Sequence, residues 1–296
     1  MLIILSIISL AMILSSCGEG TVDVTEAKYE PKIVMDGYIY PSRKVENIKL
    51  TRNFPLNQAI EASQIVLSNA DVYLTDLSGG VSYKLSYNPE KFSYEYLGND
   101  LIIKEGKTYK LSVKAVVDGK SLEASSTTTV PLSGLMIKEK YLAPMKYRER
   151  DADGKIKNFQ INFVPSENCD FYAVSIVPQQ ADLNSFIYDN AYFKPDSSNI
   201  RDNFDNYKYQ FRWIQNVNPK APGTDYRIEW FDLWFYGQYK VIVYAADKNF
   251  ADYVVTNKSV QEMDGNFHEP KLHIDGQGIG VFGSAIADTV YLKIER

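Results

Sequence analysis

The sequence predicts an all-β protein of two β-sandwich-like modules, the first Ig-like and the second carrying one helix near residues 247–262. Three observations carry this expectation. Short runs that alternate apolar and polar residues follow one another from Lys32 to Pro131 and resume after Tyr147. Turn-forming clusters separate them: Ser78-Gly79-Gly80, Asn88-Pro89, Gly98-Asn99 and Asp118-Gly119. A helical period, with an N-cap residue before it, stands out only after Asp247. Period two places alternate side chains on opposite faces of a sheet, and strands at such spacing suit a sandwich.

At the N-terminus, Leu2 to Leu14 is an uncharged apolar run of ~13 residues, suited to a signal segment and shorter than the ~20 a spanning helix needs. It leads into Leu14-Ser15-Ser16-Cys17-Gly18, which resembles a bacterial lipobox, where the chain is cut before a cysteine that then receives lipid. Residues 1–16 are therefore expected to be a lipoprotein signal peptide, with Cys17 the acylated residue. Residues 17–30 are polar and acidic and read as the tether.

The first module spans residues 31–131. Ile33, Met35 and Tyr38 lead in, and strands are expected at 48–51, 72–74, 82–85, 92–96, 109–113 and 125–130. Asp118-Gly119 marks a two-residue hairpin, because both central positions of a type I′ turn need positive φ. Tyr109 opens a late strand, as the tyrosine of an Ig corner does, and is expected to bond back to upstream backbone. Val130-Pro131-Leu132-Ser133-Gly134 closes the module.

The second module spans residues 135–296. Strands are expected to end near Tyr147 and to run over 159–163, 171–177 and 239–244. Residues 178–225 are rich in Asn, Asp and Pro and read as a long surface excursion. Asp247 caps the expected helix, whose buried stripe is Phe250, Tyr253, Val254 and Val260. The tail, 278–283 and 289–294, reads as a closing strand pair.

Composition narrows the function classes. The chain has 296 residues, 45% hydrophobic and 23% charged, with a net charge of −5 and no basic stripe, which argues against nucleic acid as a partner. With Cys17 acylated, the second of its two cysteines, Cys169, has no partner in the chain and reads as a small buried residue. Asp151 and Asp153 would begin a calcium loop, but Lys155 and Lys157 stand where more acidic ligands belong, so a hairpin turn is expected. His268 and His273 lack a third ligand at metal-site spacing. No nucleophile elbow or Cys/His signature is present. Neither a catalytic residue, a metal nor a cofactor is assigned.

One region stands out as a binding candidate. Trp230 and Trp234, with Tyr226 nearby, lie in an aromatic stretch that also holds Phe231, Phe235 and Tyr236. Read as a strand, 230–235 puts Phe231, Leu233 and Phe235 on the core face and leaves Trp230 and Trp234 exposed. Exposed aromatic faces stack on sugars or dock proteins.

Several segments together resemble a known family: the lipobox, Pro31-Lys32-Ile33-Val34-Met35-Asp36-Gly37-Tyr38-Ile39, the Tyr109–Pro131 stretch with its Asp-Gly turn, Phe267-His268-Glu269-Pro270, and Gly278-Ile279-Gly280-Val281-Phe282-Gly283. The family is one of Bacteroidota lipoproteins known as domain of unknown function 4249. Asp275-Gly276-Gln277 stands here in place of its more usual asparagine-led turn. The resemblance implies a non-enzymatic lipoprotein of the outer membrane and cell surface, anchored through acyl chains such as palmitate and serving a TonB-dependent receptor. Alternatives are a glycan- or peptide-binding module, and a hydrolase with a carboxylate pair that meets only in space.

Overall fold

The computed structural model describes residues 29–55, 59–192, 197–257 and 270–296, the side chains of 197–199 excepted. Cys17, Val260, His268 and Glu269 lie outside the described residues. Alternation begins at once in β1 (Ile33–Ile39), where Ile33, Met35 and Ile39 are buried and Asp36 is exposed. β2 (Lys49–Arg52), β3 (Asp71–Asp76), β4 (Val81–Asn88), β5 (Ser93–Glu95), β6 (Thr108–Val117) and β7 (Lys120–Thr129) follow, each over or beside an expected strand. Asp118 and Gly119, at φ 50° and 75°, are the two residues between β6 and β7. Both take the left-handed conformation that a type I′ turn demands.

Tyr109 behaves as the sequence predicts. Its ring is fully buried, its hydroxyl accepts from the Lys104 N–H at 2.9 Å and donates to the Ile102 carbonyl at 3.4 Å. Tyr172 repeats the device in the second half, accepting from the Ser166 N–H at 2.7 Å and donating to the Cys169 carbonyl at 3.2 Å. In each case a buried hydroxyl satisfies loop backbone that packing would otherwise leave unpaired.

The second half adds β8 (Met136–Ile137), β9 (Met145–Lys146), β10 (Phe159–Val164), β11 (Tyr172–Pro178), β12 (Gln210–Ile214), β13 (Thr224–Ile228), β14 (Gly237–Ala246), β15 (Asp275–Gly276) and β16 (Gly278–Glu295). Among the described residues three α-helices interrupt them: α1 (Ser197–Asp202), α2 (Phe204–Lys208) and α3 (Lys248–Asn257). The strands form a six-stranded sheet ordered β15-β7-β6-β3-β4-β5, a three-stranded sheet β13-β10-β8, and a third sheet ordered β12-β11-β14-β16-β1-β2, to which β9 adds beside β16. The protein is mostly β, in sandwich-like layers.

Three expectations need correction. The tail is not a strand pair but one strand of 18 residues, β16. At ~3.3 Å per residue it is ~60 Å long, enough to serve two cores. Its Phe282 packs with Ile33, Leu50, Val72 and Leu111, while its Val290, Leu292 and Ile294 pack with Phe163, Val174 and Val241. The first core is thus closed by the end of the chain: β1 pairs in parallel with β16, Ile33 opposite Gly278 through Ile39 opposite Ser284. Residues 31–296 form one compact unit.

The 178–225 stretch is not merely a surface excursion. Phe186 and Ile200 are buried in the second core, Ile187 is also buried, and β12 extends the large sheet by pairing with β11. Isolated apolar residues spaced along polar sequence anchor it, a pattern with no single period to read.

Residues 230–235 are not a strand. Trp230–Asp232 is a single 3₁₀ turn followed by extended backbone. The turn abolishes the two-face alternation, and both tryptophans point inward.

Candidate functional site

Trp230 and Trp234 are core residues, 1% and 9% exposed. Trp230 packs against Phe159 and, edge-on, against Tyr147, and its indole N–H donates to the Lys157 carbonyl at 2.7 Å. Trp234 lies on Tyr207 and Phe186. A partner would reach neither ring face without unfolding this part of the core. Tyr226, on β13 opposite Ile161, is half-buried; burial, aided by the charge of Asp232, pushes its phenol up to about 12. Phe231, expected in the core, is the exposed ring, at 40%.

The concave site lies elsewhere, along α3. A cavity of about 520 Å³ opens between that helix and the segments 168–171 and 215–216. Asp247 places the helix, as its N-cap. One carboxylate oxygen accepts from the Phe250 N–H at 3.1 Å and from the Ser284 N–H at 3.0 Å; the other accepts from the Thr128 hydroxyl at 2.6 Å. Asn249 completes the clamp, its amide donating to the Thr127 and Phe282 carbonyls, each at 2.8 Å. Thus α3 is bolted to β7 on one side and β16 on the other. Burial raises the Asp247 pKa, and the hydrogen bonds to the carboxylate from Thr128, Ser284 and Phe250 only partly oppose it.

Two further reactive groups at this cavity, Cys169 and Asp252, are tied up in the same way. The Cys169 thiol is 4% exposed, donates to the Phe171 and Ala246 carbonyls, and is pushed up to about 11 by burial. A thiol so placed is a packing residue, not a nucleophile. Asp252 accepts from Lys248 and meets His273 Nε2, both at 2.7 Å. Burial works against its charge, but the two partners more than offset that, and its pKa lies below the ordinary value. Further polar groups come from the rim: the side chains of Asp170, Gln215, Asn216 and Lys271 are exposed there. Asp151 and Asp153 sit in a tight turn, where the Asp151 carboxylate accepts from the Asp153 and Lys155 N–H groups.

Asp247→Ala is expected to cost about 2–3 kcal/mol. It removes a helix cap, worth ~1 kcal/mol, and strands buried donors on Thr128 and Ser284. Urea unfolding of the variant checks this; a loss below ~1 kcal/mol would mean that the clamp does not hold the helix.

Sequence reasoning found the cap but not the cavity. Asp247 announces itself locally, whereas the walls come from five separated segments that only the fold brings together.

Comparison with known proteins gives a family and little more. The family model "Domain of unknown function (DUF4249)" matches residues 19–288. No curated protein matches the chain. Among solved structures, a 1.5-MDa bacterial ice-binding adhesin aligns at 13% identity over 90% of this chain, with a TM-score of 0.23. A tetra-tandem repeat from the extending region of a large adhesion protein aligns at 9% over 88%, with a TM-score of 0.21. E. coli alpha-2-macroglobulin aligns at 10% over 88%, also at 0.21. The alignments span 65%, 49% and 14% of those chains, less than two thirds of each. Scores of this size carry no argument about fold or function.

Proposed function

The chain belongs to the DUF4249 family, and from that premise we propose that it is a non-enzymatic binding protein, held at the outer membrane by lipid on Cys17 and presenting its α3 groove to a TonB-dependent receptor. The groove is the observation that carries this reading. It has the size of a binding cleft and lies at the junction of β7, α3 and the 168–171 loop, the kind of position that binding sites favour. The carboxylate of Asp247 and the thiol of Cys169 are already spent on the fold. The rim offers the amides of Gln215 and Asn216 together with the charged groups of Asp170 and Lys271, a mixed polar set that suits an extended peptide segment of a partner, whose backbone the amides can pair. On this reading, lipid on Cys17 would tether the groove-bearing unit to a membrane.

Two substitutions test the reading. Cys17→Ser is expected to abolish stable membrane association, because acylation needs the thiol and stable anchoring needs acyl chains, each buried CH₂ adding ~0.8 kcal/mol. A variant that stays with membranes through a high-salt wash removes the anchor from the proposal. Gln215→Trp, which fills the groove from an exposed position, is expected to reduce co-purification of the receptor from detergent-solubilised membranes by at least about tenfold, as loss of an interface anchor does. Undiminished recovery would remove the groove.

A further inference from the structure

A second surface, independent of the groove, holds a guanidinium that makes no ion pair among the described residues, beside open aromatic rings. Arg148, Tyr192, Phe231 and Arg212 form a row. The Arg148 guanidinium lies over the Tyr192 ring at 5.5 Å, Tyr192 meets Phe231 edge-to-face at 6.0 Å and 80°, and Arg212 lies over Phe231 at 5.6 Å. The two rings are 53% and 40% exposed. The row is built rather than incidental. The Tyr147 hydroxyl accepts from the Ala191 N–H at 3.3 Å, holding residues 190–192 against 147–148. At the other end, Arg212 is fixed by its ion pair with Asp232, a carboxylate only 1% exposed.

Charge at the two ends differs. Asp232 neutralises Arg212. Arg148 makes no ion pair among the described residues, and its Nε is buried with no acceptor. Beside it, Asn190 is 1% exposed; its Oδ1 accepts from the Tyr192 N–H at 2.9 Å, and its Nδ2 likewise has no acceptor. A buried donor left unpaired costs ~1–3 kcal/mol, and such sites are rare in folded proteins. Among the described residues, this corner therefore holds two buried donors without an acceptor and a guanidinium without an ion-pair partner, and it borders two apolar ring surfaces.

We propose that Arg148, Asn190, Tyr192 and Phe231 form a binding site for a uronate unit of an acidic polysaccharide. A uronate combines in one residue what the corner lacks. Its carboxylate pairs with the guanidinium, the strongest class of side-chain hydrogen bond. Its ring oxygens and hydroxyls are acceptors, and its C–H face packs on aromatic rings as an apolar surface. A neutral sugar leaves the Arg148 charge unmet. An acidic peptide supplies the charge but no saturated ring for Tyr192 and Phe231.

The test is titration calorimetry on the full chain in detergent with trigalacturonate, the matching neutral trisaccharide and triglutamate. Trigalacturonate is expected to bind, more weakly as salt rises, with the other two at least about tenfold weaker. Arg148→Gln and Tyr192→Ala are each expected to weaken it by about tenfold or more. The Tyr192 ring is half exposed, so its removal tests the site even if the Arg148 variant fails to fold. No binding by the wild-type chain overturns the proposal, as does full retention in Tyr192→Ala. Equal binding of the neutral trisaccharide or of triglutamate overturns it too, the first because charge is not read and the second because the sugar ring is not.

Discussion

Gly280→Ala is expected to destabilise the protein by about 4 kcal/mol or more, a large share of the ~5–15 kcal/mol that holds a domain folded. Gly280 faces Met35 across the parallel β1–β16 pair, with φ at +106°. A β-carbon there would lie 2.0 Å from the Met35 carbonyl oxygen and 3.0 Å from its carbonyl carbon and nitrogen. These are backbone atoms and cannot swing aside, so the strands must part. The conformation alone, outside the region L-residues favour, adds ~1–3 kcal/mol. Gly119 is the internal comparison. Its φ is +75°, but nothing lies within 4 Å of the position a β-carbon would take, so Gly119→Ala is left with strain alone. Chemical denaturation of both variants checks the argument. Equal losses would mean that β1 and β16 do not approach this closely.

Trp230→Ala is expected to cost about 3–5 kcal/mol of folding stability, the range for emptying a large aromatic from a core. The ring is 1% exposed, is packed by Phe159 and Tyr147, and satisfies the Lys157 carbonyl through its N–H. Removing it leaves a cavity and an unpaired carbonyl together. The denaturation midpoint reads this directly. A loss under ~1 kcal/mol, the behaviour of an exposed ring, would put Trp230 back on the surface.

Local signals carried most of the first module. Alternating burial, the Asp118-Gly119 turn and the Tyr109 corner each depend on a few neighbouring residues, and each forms where the sequence places it. The same holds for Asp247, whose capping role needs only its position before α3. What escaped reading depends on distant pairing. Nothing near Ile33 says that its neighbour is Gly278. The aromatic stretch failed for a different reason: alternation assigns faces only to a strand, and a single 3₁₀ turn at Trp230 reverses the inference. The exposed aromatic surface exists, but on Phe231 and Tyr192, and Tyr192 gave no signal of its own. The groove drew its walls from five segments, none of which is unusual alone.

The pairing of the first strand with the last has a bearing on biosynthesis. A chain emerging from the ribosome, or threaded through a membrane N-terminus first, delivers β1 while its partner in β16 is still 245 residues away, from Ile33 to Gly278. The hairpin of β6 and β7 closes within its own 22 residues, from Thr108 to Thr129. Until synthesis finishes, one edge of β1 and the layer above Leu50 and Leu111 have no cover, because Phe282 has not been made. Contacts this far apart in sequence form slowly, and an uncovered strand edge invites pairing with another chain. Protection of the uncovered edge until the last strand is made is therefore a demand that this topology itself creates, and a nascent chain stalled short of Gly278 would leave both cores incomplete.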